Sequence, residues 1–223
     1  MMKILALVPV KRNMHPKLRL RCFDNVLAMQ SYFQGQMDVY LDFRGPGDAM
    51  ITDFRSLDRL KNLADVRQGM VNDYLRPDHT HVLMIDADVA YTPKTVTDLL
   101  RTSKTDIVAP AVYIEDTGAW DQAIPRREWY DTWGFIDAEG TRVNIFPPYF
   151  DMPGPIVPMS CVGTMYLVPA ELFRQGAQYQ AVDGFVDHLS ICAFARNAGR
   201  KVLCNLGIIV QHPRLTDYGE KRG

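Results

Sequence analysis

His81-Val82-Leu83-Met84-Ile85-Asp86-Ala87-Asp88-Val89-Ala90-Tyr91-Thr92-Pro93 is the stretch on which the reading of this chain turns. Val82 to Ile85 is a four-residue apolar run bounded by polar residues on one side and carboxylates on the other. A continuous run of this kind is the pattern of a strand buried on both faces of a sheet. Thr92-Pro93 supplies an N-cap followed by proline at the first helical position, so the spacing predicts a helix from Pro93. A buried strand, an acidic tip, a short turn and a helix form the unit in which an open α/β sheet presents a ligand, at the carboxyl end of its strands. Two carboxylates one residue apart reach a single hard cation, and Mg²⁺ or Mn²⁺ favours such oxygen ligands while also holding phosphates. Asp86 and Asp88 are therefore the candidate metal and diphosphate site. The plainer alternative is that they only cap the turn.

Outward from this stretch, the whole chain sets modest bounds. Its 223 residues suit one domain with an elaborated lid. Apolar residues are 47% and charged residues 23%, and the net charge of −1 gives no global attraction to nucleic acid or membrane. Cys22, Cys161, Cys192 and Cys204 are widely spaced and form no C-x-x-C pair, which points to buried thiols in a cytoplasmic protein rather than a zinc site or disulfide framework. The apolar start, Met1 to Val10, is too short to span a membrane and reads as a first strand.

Before the acidic strand, Ile4 to Val8 reads as a buried parallel strand, and Phe23, Val26, Leu27 and Phe33 are spaced for a helix packed on the sheet. Between them lie Lys11, Arg12, Lys17, Arg19 and Arg21, with His15 and no acid. Met37 to Arg44 alternates like a half-wet strand, Arg44 to Asp48 is a loop, and residues 54–75 have helical spacing. After the acidic strand and its helix, Asp106 to Tyr113 is another buried strand. This β-α-β-α-β-α-β order predicts a mostly parallel sheet with helical crossovers. Residues 114–160, with Trp120, Trp129, Trp133 and Phe146 to Phe150, break the pattern: Trp133 to Phe146 reads as a hairpin turning at Asp137-Ala138-Glu139-Gly140, and the rest as an aromatic- and proline-rich lid. Met159 to Pro169 reads as one strand with Gly163 near its middle, Val186 to Ala198 as a helix, and Lys201 to Cys204 and Ile208 to Val210 as two short strands. Residues 1–113 thus form a nucleotide-sugar-binding half, 114–213 a lid and acceptor half, and 214–223 a tail, all in one domain over 1–223.

In this order the parts resemble the GT-A-fold glycosyltransferases over roughly residues 3 to 213. The first strand Ile4 to Val10 looks like that family's first nucleotide-binding strand, and Ile85-Asp86-Ala87-Asp88 matches its D-x-D motif. Val162 to Val168 followed by Glu171-Leu172-Phe173 is similar to its glycine strand and the helix behind it. Asp187-His188 to Gly199 resembles the segment that carries an acidic pair, a helix and a late arginine. Among subfamilies the spacing is closest to the fungal mannan-polymerase transferases. Three residues depart from the pattern: Asp187 stands where glutamate is common, His188 where aspartate is common, and Leu189 where the mannan-polymerase group has its second acidic residue.

The resemblance implies an α/β fold of GT-A (Rossmann-like) type with a lid and a small antiparallel part, and transfer of a sugar from a UDP- or GDP-sugar to a hydroxyl acceptor. It implies Mn²⁺ or Mg²⁺ held by Asp86, Asp88 and His212, with Asp86 nearer the ribose or reaching the metal through water. Pro9, Val10 and Asp42 would shape the base and ribose pocket, Lys11 and Arg12 would help hold the diphosphate, Arg67 would contact phosphate, and Asp187 would be the general base of an inverting reaction. The acceptor is left open among saccharide, protein and lipid. The Lys11 to Arg21 run also admits a hydroxymethylated base in DNA. Three rival readings of the carboxylates and the fold stand beside this one. D-x-D-x-T phosphatases place their carboxylates on the first strand and need threonine or valine where this chain has Ala90. Sugar-phosphate nucleotidyltransferases need a glycine-rich, lysine-bearing loop that is missing near Pro9. A non-catalytic nucleotide-sugar-binding module would bind without turnover.

Overall fold

A computed structural model describes residues 2–43, 57–115, 129–130, 134–142, 156–181 and 185–214. The expected loop at Arg44 to Asp48, most of the aromatic and proline lid, and the tail from residue 215 lie outside them. The first half follows the periodicity. Strand β1 (Ile4–Pro9) leads to helix α1 (Pro16–Phe33), strand β2 (Met37–Asp42), helix α2 (Leu57–Tyr74) and the acidic strand β3 (His81–Ile85). β1 lies between β2 and β3 and runs parallel to both, in a register that pairs Pro9 with Asp42 and Leu7 with Met84. The chain therefore steps one way from β1 to β2 and the other way from β2 to β3. Right-handed crossovers then set α1 and α2 on opposite faces, and a crevice opens at the carboxyl ends of β1 and β3. Helix α3 (Pro93–Thr102) starts at the expected cap: Thr92 N–H donates to Thr95 Oγ1 at 3.2 Å, and Thr95 N–H returns a bond to the Thr92 carbonyl at 2.9 Å.

Beyond α3 the sheet departs from the mostly parallel expectation. Strand β4 (Ile107–Ile114) does not pair with β3. Between them lies an antiparallel strand from much later in the chain. Short strand β5 (Ile136–Asp137) and strand β6 (Ile156–Cys161) come first, and then β7 (Met165–Pro169) enters that slot, pairing with β3 on one side and β4 on the other. After helices α4 (Ala170–Arg174) and α5 (Leu189–Asn197), strand β8 (Val202–His212) runs parallel to β4, and β6 runs antiparallel to β8. The order β2-β1-β3-β7-β4-β8-β6-β5 is a single mixed sheet. A strand buried on both faces reads as one apolar run whichever way its neighbours point, so the sequence pattern carries no sign of direction.

Three local expectations also change. The stretch Met159 to Pro169 is two strands, broken at Val162-Gly163-Thr164, and the left-handed backbone there falls on Thr164 (φ 62°) rather than on the glycine. The two short strands expected after residue 200 are one, with the register slipping by a bulge opposite Pro110/Ala111. Helix α1 faces the sheet with Leu18, Cys22, Val26, Met29 and Phe33, leaving Phe23 and Leu27 exposed. The hairpin turn at Asp137 to Gly140 is present: Gly140 has φ 87°, and Asp137 N–H bonds the Thr141 carbonyl at 2.9 Å. All four cysteines are buried thiols, and among the described residues no helix is long and apolar enough to cross a membrane.

Candidate active site

The acidic turn is held from three sides. Asp86 N–H donates to the carbonyl of Thr164 at 2.8 Å, and Val89 N–H closes a turn onto the Asp86 carbonyl at 3.2 Å. A β-branched residue in the left-handed region costs on the order of 1–3 kcal/mol and persists where its surroundings over-determine it. Here Thr164 is buried and its carbonyl anchors the first aspartate. On the far side, Ala90 and Gln211 exchange both backbone hydrogen bonds, at 2.7 and 3.1 Å, which fastens the turn to the end of β8. From α1, Asn25 Nδ2 donates to the Val89 carbonyl at 3.1 Å, and Arg21 Nη2 donates to the Asp88 carbonyl at 2.6 Å.

This frame brings His212, the last residue of β8, beside Asp88: Nε2 lies 3.2 Å from Oδ2. The other ring nitrogen, Nδ1, is 2.8 Å from the Pro213 carbonyl, and a carbonyl can only accept, so Nδ1 carries a proton and Nε2 faces Asp88. The ring lies flat on Tyr130, with centroids 3.5 Å apart and planes 8° from parallel. Burial alone would push the Asp88 carboxyl up. His212, by charge and hydrogen bond, and then Lys11 outweigh it, bringing the carboxyl down to about 2. Burial would likewise lower the pKa of His212, and Asp88 raises it overall.

Asp86 is held differently. Arg67, from α2, is 5% exposed and sends Nη2 to Asp86 Oδ1 at 2.8 Å, while Nη1 bonds both oxygens of Asp187 at 2.7 Å. Asp187 stands two residues before α5 and is 1% exposed, so this is a buried ion pair between residues far apart in sequence. His188 Nδ1 is 3.5 Å from Arg67 Nη1 and 3.6 Å from Asp187 Oδ1. Burial raises the Asp187 carboxyl, but Arg67 and then His188 overcome it and hold it well below the usual carboxylate range. The guanidinium is correspondingly locked in its charged form, its burial penalty offset first by Asp187.

The expected three-residue metal set is thus only partly assembled. Asp88 and His212 meet, whereas Asp86 is turned to Arg67, and no group of three or more His, Cys, Asp or Glu among the described residues is placed to hold a metal ion. Arg67, expected at phosphate, spans two carboxylates. Pro9, Val10 and Asp42 share the carboxyl edge of β1 and β2, where Val10 N–H bonds the Asp42 carbonyl at 2.8 Å and both Val10 and Asp42 are buried.

The basic run is largely spent within the fold. Arg12 Nε donates to the Phe43 carbonyl at 3.1 Å, Arg19 donates to the Arg12 carbonyl, and Arg21 is taken by Glu115 and the Asp88 carbonyl. Arg21 is charge-balanced by Glu115, Arg12 and Arg19 are bonded to backbone within the fold, and nothing supports DNA as the acceptor. Glu115, Tyr130 and Thr164 are not among the residues expected at the site, and Arg21 is expected only as part of the basic run. For Arg21 alone a signal existed, an arginine spaced with the buried stripe of an amphipathic helix.

Comparison with known proteins fits this architecture. The model of the Anp1 family, a mannan-polymerase-type glycosyltransferase family, matches residues 53–143, which include Arg67, Asp86, Asp88 and Glu115. A crystal structure of GalNAc-T7 with UDP, GalNAc and Mn²⁺ superposes with a TM-score of 0.57 at 13% identity, over 95% of this chain and 44% of that one. A Drosophila β-1,4-galactosyltransferase 7 mutant, in complex with manganese, UDP-Gal and xylobiose, superposes with a TM-score of 0.50 at 11% identity, over 95% and 71%. This chain therefore spans less than half the length of GalNAc-T7. A search of curated protein sequences gives no match. The fold is that of the GT-A glycosyltransferases, and the family-level likeness is to the mannan-polymerase type.

Proposed function

We propose that this chain, with its glycosyltransferase fold, transfers a sugar from a nucleoside-diphosphate sugar to a hydroxyl acceptor, with a divalent cation bound at Asp88 and His212. The observation that carries the reading is the Asp88–His212 pair, 3.2 Å apart at the carboxyl edge of the sheet with Lys11 close enough to depress the carboxyl. One carboxylate and one imidazole whose Nδ1 is occupied by a backbone carbonyl form a donor set that suits Mn²⁺ or Mg²⁺ with further oxygens from phosphate and water. When bound, the cation supplies Lewis-acid neutralisation of the leaving diphosphate.

The chain's own residues do the rest. Val10 and Asp42, tied backbone to backbone at the ends of β1 and β2, form with Pro9 the wall on which the base and ribose rest. Lys11 adds positive charge beside Asp88 for the diphosphate. Asp86, its side chain 32% exposed and oriented by Arg67, serves on the ribose side of the cleft.

Asp187 takes a different part from the general base expected of it. A base works best with a pKa near the operating pH, and Arg67 holds this carboxyl far below that. In this reading Asp187 anchors Arg67, and Arg67 fixes Asp86. The test is calorimetric titration of UDP and GDP, with Mn²⁺ or with chelator, into the wild type and Asp88→Ala. Metal-dependent binding of one nucleotide, lost in the variant, supports the site and names the donor class. Absence of binding under every condition sinks it. Binding without transfer or slow hydrolysis of the matching sugar nucleotide leaves a binding module.

A further inference from the structure

Asp88 and His212 lie far apart in the chain; the bridge between Ala90 and Gln211 brings their backbones together, with a gap of 3.2 Å between the side chains. The structure shows a brace across that gap. Arg21, on the inner side of α1, forks: Nη2 donates to the Asp88 carbonyl at 2.6 Å, and Nη1 donates to Glu115 Oε1 and Oε2 at 3.0 and 2.8 Å. Glu115 follows β4, and its own backbone N–H donates to the His212 carbonyl at 2.8 Å. One guanidinium is thus linked to the backbone of one candidate ligand directly and to that of the other through a single residue. Because Glu115 balances its charge, Arg21 brings no net positive charge to the place where a cation would sit.

We infer that Arg21 is a positioning residue, which through Glu115 sets the spacing of Asp88 and His212 for a divalent cation. This rests on the reading of that pair as the metal site. The geometry is of the kind that matters for metal sites: groups holding the ligands, rather than the ligands themselves, typically account for about tenfold to a hundredfold in affinity. A fork fits this place, since a guanidinium holds two donor nitrogens apart in one plane, whereas the three donors of an ammonium radiate from a single nitrogen on a flexible stem.

The test uses the full chain and Mn²⁺, titrated calorimetrically in the presence of UDP, alongside UDP titrated in chelator. Arg21→Lys is expected to weaken Mn²⁺ by about tenfold to a hundredfold, with metal-free UDP affinity unchanged. Arg21→Glu combined with Glu115→Arg restores the ion pair but not the donor on the Asp88 carbonyl, so Mn²⁺ affinity stays low. Wild-type Mn²⁺ affinity in Arg21→Lys overturns the inference, as does full recovery in the exchanged pair, which would reduce Arg21 to an ordinary ion-pair partner. If Arg21→Lys does not fold, Glu115→Gln, which keeps the Asp88 contact but loosens its anchor, takes its place with a smaller expected loss, and no loss overturns the inference.

A second readout separates this failure from failure of the metal-site reading. Amide hydrogen exchange at Ala90 and Gln211, the backbone bridge beside the two ligands, is expected to quicken in Arg21→Lys while Leu83 and Leu167 in the sheet keep wild-type protection. Should the wild type bind no Mn²⁺, the metal site falls and exchange alone decides the brace. Unchanged exchange at Ala90 and Gln211 overturns it.

Discussion

Asp86 and Asp88 are two residues apart, yet their surroundings answer the same problem in opposite ways. On the Asp86 side the counter-charge is Arg67, permanently protonated, buried and shared with Asp187. On the Asp88 side it is His212, an imidazole that is cationic only while it keeps its second proton. A guanidinium cannot give way to a metal ion, whereas an imidazole exchanges a proton for one at modest cost. The difference separates an aspartate held by a fixed charge from one facing a group that can exchange its proton, a distinction the motif alone leaves open.

The comparison breaks first at Arg67. Removing one partner of a buried ion pair leaves an uncompensated charge, so Arg67→Met should destabilise the fold by about 3–5 kcal/mol, read from urea unfolding midpoints. Arg67→Met with Asp187→Leu should recover most of that loss. A single-variant cost near zero would mean that the Asp86 side is no more fixed than the Asp88 side. The next effect is on ligation: Asp88→Ala should lower metal-dependent nucleotide affinity by about a hundredfold or more, the tight end of what ligand-shell disruption costs. Asp86→Asn, which keeps an acceptor for Arg67, should lower it far less. Equal losses in the two variants would erase the contrast.

Acid sharpens the same contrast. Asp187 has its pKa depressed on folding, so its contribution is present above the unfolded carboxylate value of about 4 and is lost as pH falls through that value toward the folded one. Urea midpoints of the wild type should fall with acid in that range more steeply than those of the Arg67/Asp187 double variant. Parallel curves would show that the pair is not what acid attacks. The smallest expected effect is at Tyr130. Replacing the stacked ring by leucine should remove about 0.5–1.5 kcal/mol of orientation at His212, read as a severalfold rise in the Mn²⁺ dissociation constant.

How much of this was legible beforehand follows from range. The strand tips, Thr92-Pro93 and the turn at Asp137 to Gly140 are local and came through the sequence pattern directly. The pairing of Asp88 with His212 follows from an order of parts that resembles a known family, since nothing near either residue points to the other. Arg67 with Asp187, and Arg21 with Glu115, are contacts across the chain between residue types common on any surface, and a salt bridge of that kind leaves no periodic trace. The insertion of β7 between β3 and β4 is invisible for a related reason: both flanking strands are buried almost throughout, so neither records the direction of its neighbour. Thr164 gave no warning because its backbone angle is imposed by its surroundings and not by its own side chain.

The bridge between Ala90 and Gln211 joins points more than half the chain's length apart. Pairings of such long range are slow to form, since the intervening chain must first be closed on itself. During synthesis the strand bearing Asp88 is made and can settle with its parallel neighbours well before the strand bearing His212 leaves the ribosome. On the proposed function, a nascent chain would have the nucleotide crevice before it had both proposed cation ligands, and competence for metal would arrive only with the docking of the last strand.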